Sequence, residues 1–214
     1  MGKPFELRKF VAPELIFGEG AHRLVGRYAA NFMAKKVLIV TDAGVRRHRW
    51  TEYVEHELRS SGISYAIFDG LTPNPKDDEV FLGANMYEAE GCDVLVAVGG
   101  GSVIDCAKSI GILSTNRCEQ EGRNSILDYA GVDEIPVPGP PLLCIPTTAG
   151  SSADVSQFAI IMDRQQRSKV ALISKLLVPD VALIDPLTTT TMPPDLTAAT
   201  GIDDKPLIAC CPTE

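Results

Sequence analysis

Apolar and polar positions fall in blocks along this chain, short β-branched runs that are wholly apolar alternating with longer stretches that carry one apolar face. The runs at 14–17, 37–40, 65–68, 94–98 and 142–145 are each bounded by Gly, Pro or polar residues and predict strands. Strands without internal alternation are those covered on both faces of a parallel sheet, which needs crossover helices between them. Three intervening stretches supply these helices. Residues 21–33 have a mixed apolar face, 50–60 place Trp50, Val54 and Leu58 four apart, and 76–90 put Val80, Ala84 and Tyr87 on one side. After Pro146 the rhythm changes: runs at 158–162, 170–173 and 181–184 lie too close for helices and predict antiparallel strands added to the parallel sheet. Residues 131–141, with four prolines and two glycines, read as an ordered loop. The fold class is α/β, a largely parallel sheet with flanking helices.

Composition narrows the function classes. At 214 residues and 45% hydrophobic, the chain is large enough for one sizeable domain, or a domain plus a fragment. A net charge of -8, with no run of Lys or Arg longer than two, argues against nucleic acid and anionic membrane as partners. The longest apolar runs fall short of the roughly 20 residues that span a bilayer. The opening MGKPFELRKF has no apolar segment of the kind a secretory signal carries. Six cysteines, at 92, 106, 118, 144, 210 and 211, show no CxxC spacing and read as reduced thiols of a cytoplasmic protein.

Three segments carry candidate chemistry. In VLVAVGGGSVIDCAK a buried strand runs directly into Gly99, Gly100 and Gly101, then into a helix for which Ser102 is a good N-cap and Val103, Ala107 and Ile110 the buried face. Glycines let a backbone approach an anion closely, and the free N–H groups of a first helical turn point at it with the helix dipole behind them. Neither GxGxxG nor GxxxxGK[ST] is matched, since Ile104 replaces the third glycine and Ala107 precedes Lys108, so a tight turn without a ligand is an equally open reading of the loop. Asp42, two residues beyond the 37–40 strand, is placed either to accept ribose hydroxyls and disfavour a 2′-phosphate or simply to cap a helix. Thr147, Thr148, Ser151 and Ser152 follow the 142–145 strand, at the edge where ligands of open α/β sheets bind, or form a polar turn.

Together, and in order, these segments resemble the iron-containing (group III) alcohol dehydrogenases. The resemblance runs from Phe10 to about Asp203 through IFGEGA, VTD, the PNP loop at 73–75, GGGSVIDCAK with Asp105 and Lys108, IPTTAGSSADVS, Lys169, PDVALIDP and MPPDLTAATGID. Glycerol dehydrogenase and dehydroquinate synthase share a GGG loop, but PTTAGSSADVS and PDVALIDP favour the alcohol dehydrogenases. The resemblance implies a Rossmann-like N-terminal half that binds NAD and a helical C-terminal half that carries the metal. It implies that Asp42 holds the adenosine ribose, that Gly99, Gly100, Gly101 and Ser102 cradle the pyrophosphate, and that Asn74 and Asp105 lie beside the cofactor. It also implies that Thr147, Thr148, Ser156 and Phe158 line the cleft and that Lys169 reaches the nicotinamide ribose. Asp154 and Ser156, where the family has Glu and Thr, keep the chemistry.

The metal motif is only begun. The family's GxDxxxH is met at Gly201, Ile202 and Asp203, but Leu207 stands where the histidine belongs and Pro206 would interrupt the helix. One carboxylate cannot hold an ion, and His22, His48 and His56 are expected on solvated surfaces, far from this motif. The expectation is therefore a dinucleotide-binding domain over 1–192, a remnant of the metal domain over 193–214, and the helical metal domain missing. The resemblance implies a parent activity of NAD-dependent, metal-assisted hydride transfer between a primary alcohol and an aldehyde. No catalytic residue is assigned, Asp203 is an incomplete iron site, and the truncated chain retains NAD binding at best. A non-catalytic nucleotide-binding module or partner subunit is the alternative. Apolar surface left uncovered by the missing half predicts a homo-oligomer, a dimer or larger.

Overall fold

A computed structural model describes residues 11–118 and 122–203. In chain order the strands are β1 (Glu14–Phe17), β2 (Lys36–Asp42), β3 (Ser64–Leu71), β4 (Val94–Gly99), β5 (Gly131–Val132), β6 (Leu142–Pro146), β7 (Phe158–Asp163), β8 (Ser168–Ile173) and β9 (Val181–Ile184). The helices are α1 (Val25–Asn31), α2 (Ala43–Arg47), α3 (Trp50–Ser60), α4 (Asp77–Ala89), α5 (Gly101–Asn116) and α6 (Pro194–Asp203). Six strands form one sheet in the order β1-β9-β6-β4-β2-β3, every neighbouring pair parallel.

The central strands are apolar throughout because both faces are covered. Leu38 and Val40 of β2, with Leu95 and Ala97 of β4, meet α4 and α5 on one face. Val37 and Ile39, with Val94, Val96 and Val98, meet α1 and α3 on the other. All nine of these side chains are essentially inaccessible, and burying each Val, Leu or Ile contributes about 1.5–3 kcal/mol. Helix starts follow local chemistry. At α4 the Glu79 side chain reaches back to the Lys76 N–H (3.2 Å), and Asp77, Asp78 and Glu79 place negative charge at the positive end of the helix dipole.

Three expectations require correction. Of the runs after Pro146, only β7 and β8 pair antiparallel, and they form a separate small sheet, ordered β5-β8-β7. The third, β9, enters the main sheet parallel to β6 and β1, because residues 175–177 and the turn before Asp180 carry the chain back to the starting edge. Two residues of the 131–141 loop, Gly131 and Val132, pair with β8 as β5. The predicted helix over 21–33 begins as a 3-10 turn over Ala21–Leu24 and becomes α1 only at Val25.

His22 departs furthest from expectation. His48 and His56 are exposed, but His22 is 3% exposed. Its Nδ1 lies 2.5 Å from Asp185 Oδ2, and that carboxylate also accepts from the N–H groups of Gly20 (2.7 Å) and Leu187 (2.9 Å). Trp50 and Tyr53 pack edge-on to its ring, which leaves Nε2 buried without a partner among the described residues. A lone histidine in sequence gave no hint of a carboxylate 163 positions away.

Candidate cofactor site

Because all six strands of the main sheet run the same way, their C-terminal ends open on one edge. The register sets Val40 beside Ala97 and Gly99 beside Pro146, so the ends of β2, β4 and β6 stand side by side there. The Thr41 hydroxyl donates to the Val98 carbonyl (2.9 Å) and ties the first two together. From β2 the chain leaves toward the α3 face, and from β4 toward the α5 face. The crevice between these departures is the topological switch point, where open α/β sheets bind their ligands.

The glycine loop is explained by space. Gly100 is the N-cap of α5 at φ -80, ψ -172, a conformation open to any residue. A Cβ on Gly99 would stand 2.5 Å from Val103 Cγ2, on Gly100 2.9 Å from Thr148 Oγ1, and on Gly101 2.8 Å from Ser151 Cβ. The loop after β6 therefore rests directly on the start of α5, held by the Thr147 N–H donating to the Gly99 carbonyl (3.0 Å). Ser102 is not the N-cap, contrary to expectation. The helix starts one residue before it, and the Gly100 carbonyl already accepts the Val103 and Ile104 N–H groups. Among the described residues the N–H groups of Gly101 and Ser102 have no partner, and they form the positive end of a 16-residue helix.

Asp42 does cap a helix. Its Oδ1 accepts from Gly44 N (2.7 Å) and Val45 N (2.9 Å) at the start of α2. Oδ2 takes no hydrogen bond among the described residues, so the cap fixes the side chain through one oxygen and leaves the other unengaged.

Four further expected residues meet at a cavity of about 120 Å³ beside the start of α5: Asn74, Ser102, Asp105 and Lys169, together with Pro75, Ile160 and Met162. Asn74 holds a left-handed φ of 57, which asparagine tolerates better than most residues. Asp105 Oδ2 accepts the Ile160 N–H (3.1 Å). Burial pushes its carboxyl up to about 6, against the pull of that N–H and of the Lys108 ammonium. Lys108 is 3% exposed and donates to the carbonyls of Ser156 (2.8 Å) and Phe158 (2.9 Å) and to Ser156 Oγ (3.3 Å). Burial lowers its ammonium, opposed by the charge of Asp105. Thr147 is buried, Thr148 half-buried and Phe158 exposed. A larger cavity, about 350 Å³, opens at the opposite end of the sheet near Leu95, Leu142 and Asp180 and contains none of the expected site residues. Sequence reasoning assigned no role to Lys108, whose spacing from Asp105 was the available signal.

Asp203 lies in α6, and Leu207 and Pro206 lie outside the described residues. Among the described residues no group of three His, Cys, Asp or Glu comes together to hold a metal ion, and no described helix is long and apolar enough to cross a membrane.

The family model of iron-containing alcohol dehydrogenase matches residues 12–186. The NAD-dependent methanol dehydrogenase of Bacillus methanolicus is 38% identical over 194 residues, covering 91% of this chain and 49% of that protein. The 1,3-propanediol dehydrogenase of Klebsiella pneumoniae is 37% identical over 202 residues, covering 93% and 51%. Among solved structures, a 1,3-propanediol oxidoreductase superposes with a TM-score of 0.87 at 37% identity, over 92% of this chain and 50% of that one. The sulfoacetaldehyde reductase of Bifidobacterium kashiwanohense, solved with NAD+, gives 0.79 at 26% identity, over 93% and 51%. The chain thus spans about half the length of the relatives it matches, and with the family model covering most of its residues it belongs to the iron-containing alcohol dehydrogenases.

Proposed function

We propose that this chain is the NAD-binding half of an oxidoreductase that interconverts a primary alcohol and an aldehyde, and that its own residues supply the cofactor cleft. The observation that carries the reading is the pair of unpartnered N–H groups at Gly101 and Ser102, set on the switch-point edge under the Thr148–Ser151 loop. There the pyrophosphate would receive two backbone donors and the helix dipole. Asp42 Oδ2 would accept ribose hydroxyls on the adenosine side. On the other side, Asn74, Asp105, Thr147, Thr148, Ser156, Phe158 and Lys169 would bound the nicotinamide end. When bound, NAD supplies the hydride chemistry. The chain's part is to hold the dinucleotide extended across the ends of β2, β4 and β6.

The described residues do not fit the family's iron. They bring together no set of three donors, and Asp203 is one carboxylate where a stable site needs several ligands. The proposed division of labour is a cofactor domain over 1–192 and the start of a metal domain over 193–214, with homo-oligomeric association of a protein that acts in the cytoplasm on a small alcohol or aldehyde.

Calorimetric titration with NADH tests the reading. The wild-type chain is expected to bind one equivalent, and Gly101→Val, whose side chain would collide with Ser151, to lose affinity by about tenfold or more. Absence of NADH binding by the wild-type chain would refute it.

A further inference from the structure

We infer that Asp105 and Lys108 are positioning residues that clamp the free edge of β7 to α5 and thereby hold the nicotinamide side of the cleft in place. The inference rests on the cofactor reading above. β7 is the outer strand of the small sheet. The Gln157 carbonyl faces the β8 side, where it accepts the Ser174 N–H (3.0 Å), so by the alternation of a strand Ser156, Phe158, Ile160 and Met162 direct their backbone groups away from β8. An edge of this kind needs water or another strand.

Here α5 and one loop take the place of that strand. Lys108 Nζ meets the Ser156 and Phe158 carbonyls and Ser156 Oγ, three acceptors for its three N–H groups. Asp105, three residues earlier on the same helix, accepts the Ile160 N–H. The Met162 N–H donates to the Pro75 carbonyl (2.8 Å), next to Asn74. The donor residue sits where carbonyls are presented, and the acceptor residue where an N–H is presented. Met162 stands opposite Lys169 in the β7–β8 register, so the clamp sets where Lys169 lies relative to Ser102 across the small cavity. Apolar packing alone would be served by leucine or methionine at 108, without the cost of desolvating an ammonium. Asp42, on the adenosine side, is fixed by the N–H groups of its own turn and not by β7.

The full chain, titrated with NADH and separately with ADP, tests this. Lys108→Met keeps the stem and removes the donors. It is expected to weaken NADH by about tenfold or more while ADP stays within about twofold, and Lys108→Arg, which keeps donors, is expected to recover part of the loss. If Lys108→Met does not fold, Lys108→Gln, which keeps a polar head with fewer donors and lies outside the small cavity, carries the same comparison. Equal losses for both ligands in a folded variant, or unchanged NADH binding, would overturn the clamp. Failure of the wild-type chain to bind either ligand would overturn the cofactor reading and the clamp's role with it, a result distinct from wild-type binding that Lys108→Met leaves intact.

Discussion

Single residues in this protein answer to two demands, and substitutions separate them. Asp42 caps α2 through Oδ1, and on the proposed reading Oδ2 serves the ribose. Asp42→Asn keeps an oxygen for the cap and loses the charge. Thermal denaturation is expected to show stability within about 0.5 kcal/mol of wild type, while competitive titration shows a reduced preference for NADH over NADPH. Asp42→Ala is expected to cost about 1 kcal/mol in addition, through the lost cap. Asp105 offers a second separation. Burial raises its carboxyl from 3.8 to about 6, so between those values the folded chain holds a proton that the unfolded chain has released. Stability from this group is present at low pH and is lost as pH rises from about 4 to about 6. Asp105→Asn still accepts the Ile160 N–H and has no ionisation to oppose folding. Its stability relative to wild type is expected to rise across that window, by about 2–3 kcal/mol in denaturant titrations at pH 4 and pH 7. A difference independent of pH would count against the buried ionisation.

At the scale of elements, the sequence was most informative where burial is two-sided. The runs at 37–40 and 94–98 declared β2 and β4, and VLVAVGGGS declared the strand-to-helix junction on which the site is built. It was least informative about partners remote in sequence. Nothing local distinguishes β9, which joins the main sheet, from β7 and β8, which leave it, because apolar four-residue runs carry no label of orientation. The same gap hid the His22–Asp185 pair and the Lys108 contacts with Ser156 and Phe158, whose partners lie 163, 48 and 50 positions away. The glycines were legible as a strand-to-helix turn, but their crowding by Val103, Thr148 and Ser151 was not, because two of those neighbours come from a loop some 50 positions on. At the junction of β1 and β9, the Asp185 carboxylate keeps backbone donors if His22 is removed. His22→Ala is still expected to cost about 3 kcal/mol, because it leaves a buried charge without its main partner. A chemical-denaturation midpoint unchanged from wild type would show that the pair contributes nothing to joining these strands.

For the whole molecule, the described residues bring together no metal-binding set, while the relatives are about twice as long. β1, the outer strand of the main sheet, leaves Leu15 and Phe17 52% and 77% exposed on an open strand edge, where another chain can pair. Sedimentation equilibrium is expected to find a dimer or larger species, and a monomer at all concentrations would contradict this. Whether NAD lies on the helix terminus at the switch point is read by amide hydrogen exchange measured with and without saturating NAD+. Slowed exchange is expected at the Gly101 and Ser102 amides and along the 147–151 loop. Unchanged exchange there, or protection confined to the far end of the sheet around Leu142 and Asp180, would contradict it.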